Sequence, residues 1–401
     1  MRVLGVLGKL LALVGLVVAA SSCGDSSTES TVTGGSSSSS ASTTSSTTTS
    51  SASSSGGGGG GPDSWRSASW GPPSCDVETA YGPAVGIPQI AWESCGAGCQ
   101  RVAVDWFSGP SPVSAIHIRE DGGEVGAIVR TDDHTIAVVW TLPSFEPVFA
   151  IRTALPCVVR PVVPTPDGYW SGVVNSSPIL GVVGFFSRGQ PEAGPEVVPG
   201  GQGIVTELVG DSSQVFLATG DENALVRWKR GEPSIDSFSV AGAKSPALTE
   251  GGGVVFLGGP TDGRRIYRWQ DSQETPVVAW SSVGISVLGL AASSGEIMWL
   301  DGAGDAVPGY TNMMARWATD TGSLSPDAEH AVDGYSEIVA DAQRIVKGSQ
   351  AGIEAVARSD GAKTGFSVQL ATRLSFLGLT LLSMNTEIWV ESAETVYRFR
   401  L

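Results

Sequence analysis

"ALVRWKRGEP", Ala224–Pro233, sets an apolar pair, then Arg227-Trp228, then a polar turn. About forty residues on, residues 264–276 repeat the pattern as "RRIYRWQDSQETP". Taking Arg227 as the ruler mark, counterparts fall at Arg268, Arg316 ("MARW"), Arg358 ("AVARSDG") and Arg398 ("VYRFRL"), in steps of 41, 48, 42 and 40 residues. Upstream, Phe185 of "GFFSRG" and Val139 of "AVVW" take the same place without the arginine, at steps of 42 and 46. That makes seven copies.

A second motif precedes each copy: "GAIVRT", "GYWSGVV", "QVFLATG", "VVFLGG", "EIMWLDG", "RIVKGS" and "TEIWVES". Short apolar and aromatic runs bounded by Gly, Ser or Asp read as strands. Two further short runs lie between copies, such as "TPVVAWSS" and "SVLGLAAS". Four strands per repeat of about 43 residues is the signature of a β-propeller blade. Helical periodicity shows only faintly, around Ser336–Ala342. The expected fold is therefore all-β, a seven-bladed propeller over residues 99–401.

The last copy runs to Leu401 without an outer strand, whereas "CQRVAVDWF", Cys99–Phe107, alternates like a strand ahead of the first blade. Pairing the two closes the ring and removes its free edges. The recurring Trp228, Trp269 and Trp317 are expected to pack between blades. Each preceding arginine then lies on the opposite face of the strand, because successive side chains alternate. Stacking platforms for sugars are the alternative use of such tryptophans, which regular recurrence in successive blades disfavours.

"EIMWLDG" followed by "MARWATDTGS" resembles the YWTD repeat of LDL-receptor-type propellers: an aromatic-Trp-x-Asp strand, an arginine, then a polar turn. The repeats also resemble the degenerate propeller repeats of bacterial surface lipoproteins. YWTD rings usually have six blades, one fewer than the copies counted here. The resemblance spans about residues 99–401 and implies a scaffold for protein or ligand binding.

Met1–Ser22 has Arg2 and Lys9 ahead of an uncharged run, Leu10–Ala20. That run is too short for the roughly 20 residues of a membrane span and has the layout of an export signal. Ala20-Ser21-Ser22-Cys23 resembles the bacterial lipobox, with Ala20 where leucine is usual. The resemblance implies cleavage before a lipidated Cys23 carrying two or three acyl chains. Two chains anchor stably where one holds only marginally. Simple secretion, with Cys23 free or disulfide-bonded, is the alternative. Gly24 directly after Cys23 favours the outer membrane or cell surface, where the cell has one.

Residues 23–62 are the lipidated cysteine and a tether almost wholly of Ser, Thr and Gly, with Asp25 and Glu29 its only charges. Such a chain cannot bury enough apolar surface to fold and reaches about 35 Å on average. Residues 63–98 form a Pro-rich transition in which Trp65, Trp70 and Trp92 are expected to pack on the body.

The 401 residues carry 24 Lys+Arg against 40 Asp+Glu, a formal charge of −16 that becomes −18 without Arg2 and Lys9. An acidic chain repels nucleic-acid phosphates and anionic headgroups, so neither is the expected partner. The membrane is reached through the lipid on Cys23. The expected partner is a cell-envelope protein or glycan.

Cys75, Cys95, Cys99 and Cys157 remain, an even number in an exported chain, which points to two disulfides. Cys99 opens an outer strand and Cys157 an inner one at the opposite face of the ring, too far apart for a bond. Cys95–Cys99 and Cys75–Cys157 are the favoured pairs. A metal site at "CGAGC" is disfavoured, since His117, His134 and His330 lie at no zinc-like spacing beside it.

The best catalytic cluster is His117, with Arg119, Glu120 and Asp121, on an inner strand. It suits an envelope hydrolase or lyase with His117 as general base. More often such a histidine is simply hydrogen-bonded in the channel. Asp132, Asp133 and His134 read as a hairpin turn; the acids could meet Ca²⁺, yet follow no EF-hand spacing. No nucleophile-elbow, P-loop or HExxH motif occurs, and no cofactor is indicated.

Overall fold

The computed structural model describes residues 65–400, leaving out 83–91, 103–112, 119–122, 131–132, 177–178, 191, 201–202, 204, 221–223, 261–262, 283, 294, 304–313, 321–323, 325, 327, 332–336, 341–343, 350–351, 360–361, 367–379, 385–386 and 393–394. All described residues belong to one unit, Gly57–Leu401. The signal, Cys23 and the tether lie outside the described residues.

The described strands form antiparallel sheets, seven in number, and among the described residues there is no α-helix. The first sheet holds Val113–Ile118, Glu124–Arg130, His134–Thr141 and Pro147–Ala154. In the second, Cys157–Val159 and Val163–Pro164 share the first position, before Gly168–Ser176, Ile179–Ser187 and Glu196–Val197. The third is Val205–Gly210, Gln214–Thr219, Ala224–Lys229 and Asp236–Ser239, and the fourth Lys244–Leu248, Val254–Gly258, Arg265–Trp269 and Val277–Trp280. The fifth comprises Ile285–Ser293, Glu296–Ala303, Met314–Thr319 and Ala328–Ala331. Glu337–Ala340, Arg344–Ser349, Gly352–Ala357 and Lys363–Phe366 make the sixth, so the faint helical period near Ser336 is overridden by strand pairing. Thr380–Met384, Glu387–Ser392 and Thr395–Arg400 begin the seventh.

Each sheet meets the next through its first strand, and the seventh meets Val113–Ile118 of the first. The fold is an all-β propeller. Sheets stacked on both sides explain the continuous apolar runs, since a strand buried on both faces need not alternate. On the third sheet, Val215, Leu217, Val226 and Trp228 pack against Trp170, Val183 and Phe185 of the second. The intervening Phe216, Ala218 and Leu225 face Val254, Phe256 and Trp269 of the fourth.

The Pro-rich stretch does more than pack. Val77–Tyr81 adds to the outer edge of the first sheet along Pro147–Ala154, and Arg66–Ala68 adds beyond it. Cys99–Val102 then pairs with Thr395–Arg400 of the seventh sheet, with Trp92–Gly96 outermost. Arg66–Ala68, Val77–Tyr81, Trp92–Gly96 and Cys99–Val102 thus form a belt over two sheets whose remaining strands lie at opposite ends of the sequence. At their junction the Arg398 guanidinium lies 4.3 Å over Trp92 and 5.1 Å over Phe145. Cys75–Cys157 (Cα–Cα 5.8 Å) fastens the belt to the second sheet, and Cys95–Cys99 (5.2 Å) closes its outer hairpin.

Candidate functional site

The repeated arginines act between sheets. Arg227 is 5% exposed; its Nε donates to Asp236 Oδ2 (3.0 Å) and its Nη1 to the Gln270 carbonyl of the fourth sheet (3.3 Å). Its guanidinium stands 4.6 Å over the Trp269 ring. Trp228 turns the other way, edge-on to Trp170 of the second sheet at 5.9 Å. The fourth sheet repeats this: Trp269 faces Phe216 behind it, while Arg268 pairs with Asp320 of the fifth sheet ahead.

In the fifth sheet the faces exchange. Trp317 lies opposite Met298, whereas Ala318 lies opposite Ile297 and packs back toward the fourth sheet. A one-residue change of register moves every side chain to the other face. Trp317 therefore lies under Arg358 of the sixth sheet, at 5.3 Å. Trp299 of "MWLD" takes the backward-facing place beside Trp280 (5.3 Å). Asp301 of that motif accepts from Trp299 Nε1 (3.0 Å) and Arg316 Nε (2.8 Å), so a buried Trp and Asp and a partly buried arginine form one hydrogen-bonded unit.

These clasps leave a pocket of about 800 Å³ where turns of the fourth, fifth and sixth sheets meet. Thr249, Glu250 and Gly251 come from a first-to-second-strand turn, and Arg268 and Gln270 from the end of a third strand. Glu296, Asp320 and Arg358 complete the charged lining. Arg358 Nη2 donates to Glu296 Oε1 (2.8 Å), and Arg268 pairs with Asp320. Gly295 holds φ at +72°, and a Cβ there would meet Glu250 Oε2 at 2.8 Å, so only glycine lets that carboxylate settle against the turn. Arg268 is 3% exposed, and its Nε has no acceptor among the described residues. The lining offers many donors and acceptors and no large apolar side chain.

His117 sits on the first strand of the first sheet, opposite Gly126, at a register break between Ser114 and His117. Burial pulls its imidazole from 6.5 down to about 4. It is therefore neutral at pH 7 and a poor base there, because a general base works best with a pKa near the operating pH. Arg119, Glu120 and Asp121 lie outside the described residues, as does Asp132. His134 begins the third strand, not the turn, with Nδ1 2.8 Å from Asp133 Oδ1.

Sequence reading passed over Glu207, on the first strand of the third sheet. Burial raises its carboxyl pKa, against the backbone N–H of Ser245, which donates to it, and the nearby Lys244. An isolated glutamate in a bulged strand carries no sequence signal for this role. The pocket was equally invisible, because its lining is scattered from Thr249 to Arg358.

No protein-family model and no curated protein matches this chain. Among solved structures it resembles Hsv2 of Kluyveromyces marxianus at 11% identity and TM-score 0.50, over 73% of this chain and 99% of that one. Sqt1 of Saccharomyces cerevisiae aligns at 9% identity and TM-score 0.49, covering 82% and 92% of the two chains. YCF48 of Cyanidioschyzon merolae aligns at 11% and 0.47, covering 76% and 98%. At 11% identity the likeness to Hsv2 carries the propeller fold and nothing more.

Proposed function

We propose that this chain is a bacterial lipoprotein, acylated at Cys23, whose propeller is a binding or scaffold module for a cell-envelope protein or glycan. Its seven sheets are the blades of a single ring that the N-terminal strand closes. The lipid holds it to the outer membrane or cell surface, and the Ser/Thr/Gly tether lets the ring reorient. The hydrogen-bonded Trp299-Asp301-Arg316 unit supports kinship with YWTD-type propellers.

The observation that carries the binding role is the polar pocket shared by three sheets. Its lining comes from turns on a rigid stacked core, the usual setting for a binding site. A hydrolase or lyase centred on His117 is the weaker reading, since that imidazole is neutral and a poor base at pH 7.

Replacing Cys23 with serine tests the anchor. The variant is expected to lose radiolabelled palmitate and leave the membrane fraction, and retention of both would refute lipidation. Crosslinked pull-down of the full lipidated chain tests the scaffold role. One dominant envelope partner, lost on altering the ring's turns but not on shortening the tether, supports it; recovery of nothing counts against a protein partner.

A further inference from the structure

We propose that the pocket between the fourth, fifth and sixth sheets binds a neutral polyhydroxy ligand, a saccharide. The inference rests on reading the ring as a binding module and names what it binds. At about 800 Å³ the pocket lies within the roughly 300–1,000 Å³ typical of small-ligand sites.

The charge pattern selects the ligand. Three carboxylates, Glu250, Glu296 and Asp320, face two guanidiniums, Arg268 and Arg358. Both guanidiniums are already paired inside the pocket, with Asp320 and with Glu296. An anion entering here would have to displace a carboxylate and meet the net negative charge. An apolar ligand would strip water from these groups without replacing their hydrogen bonds, which disfavours it.

A sugar hydroxyl fits where those ligands do not. It donates and accepts at once, and the lining sets the two kinds of partner side by side, as across Arg358 and Glu296 at 2.8 Å. Thr249 and Gln270 add further groups able to do both. The tryptophans are committed to packing between sheets, so recognition here proceeds by hydrogen bonds, not by ring stacking.

The test is calorimetric titration of the mature chain with a neutral, an anionic and a cationic oligosaccharide: chitotriose, trigalacturonate and triglucosamine. Two variants keep the outcome independent of folding. A Cβ at Gly251 meets nothing within 4 Å, so Gly251→Phe adds bulk at the pocket lining without a backbone clash. Glu250 is exposed and has no ion pair among the described residues, so Glu250→Gln removes charge alone. Chitotriose is expected to bind at least tenfold tighter than trigalacturonate. Gly251→Phe should cost at least tenfold. Tighter binding of triglucosamine, lost in Glu250→Gln, would overturn the neutral-ligand inference in favour of a cation site. Chitotriose binding that survives Gly251→Phe would overturn the placement. Absence of saccharide binding, with an envelope protein still recovered by pull-down, sinks this inference and leaves the scaffold reading standing. Failure of both assays sinks the two together.

Discussion

Trp269 and Trp317 occupy the same place in the written repeat, yet truncating them should have very different costs. Trp269 is 1% exposed, enclosed by Phe216 at 6.3 Å, with Arg227 4.6 Å above its ring and Nε1 donating to the Gln273 carbonyl at 3.1 Å. A buried tryptophan removes about 150–250 Å² from water, or about 4–6 kcal/mol at 25 cal/mol per Å². Measured Trp→Ala costs in cores run about 3–5 kcal/mol. Trp317, turned to the other face, is only partly buried and keeps one cation–π contact, with Arg358 at 5.3 Å. Roughly half the area, about 2–3 kcal/mol, plus a contact of about 0.5–1 kcal/mol puts Trp317→Ala near 3 kcal/mol. Urea denaturation followed by far-ultraviolet circular dichroism reads both without depending on tryptophan emission. The expected order is Trp269→Ala more destabilising by about 1–2 kcal/mol, with unchanged m-values. Equal losses, or a larger one for Trp317→Ala, would refute the assignment of faces in the fifth sheet.

Other consequences follow from single contacts. The Glu124 side chain is 6% exposed and is held by Arg188, which also donates to the Tyr169 hydroxyl (2.6 Å) and the Thr165 carbonyl (2.7 Å). Arg188→Met should cost about 3–5 kcal/mol in denaturant titration, because a buried carboxylate loses its ion pair with Arg188, and adding Glu124→Gln should restore part of that. Replacing Cys75 and Cys157 by serine opens a loop of 82 residues, against 4 for Cys95 and Cys99. Chain entropy then predicts losses of about 4.5 and about 2 kcal/mol respectively, and the reverse order would show that the belt is not held chiefly by its bridge to the second sheet. Because the folded His117 pKa is pulled from 6.5 to about 4, the unfolded chain binds more protons between those values. Stability from this group is thus full above pH 6.5 and falls as the pH drops through the window, by at most about 3 kcal/mol. Glu207, raised by burial, works in the opposite sense just above the ordinary carboxylate range. His117→Gln should flatten the loss between pH 6.5 and 4, and an unchanged pH profile would contradict the burial of this imidazole.

The repeat of Arg227, Arg268 and Arg316 was legible as a propeller because strand length, turn residues and apolar runs are local properties. Both faces of the third and fourth sheets are covered by their neighbours, which matches the unbroken apolar composition of strands such as "VVFLG". The packing role of Trp228 and Trp269 followed from the same regularity. What Trp317 faces did not, since it depends on the register between Glu296–Ala303 and Met314–Thr319, and a single residue of slip reverses it. The belt over the first and seventh sheets required knowing that Val77–Tyr81 finds the edge of Pro147–Ala154, a pairing between segments some seventy residues apart. The pocket is the extreme case. Thr249, Arg268, Glu296, Asp320 and Arg358 share no motif, and only the stacking of three sheets brings their turns to one opening. Sequence determined which segments would be strands and that they would stack; tertiary structure decided which side chains meet, because contact between distant turns is set by packing geometry and not by any local pattern.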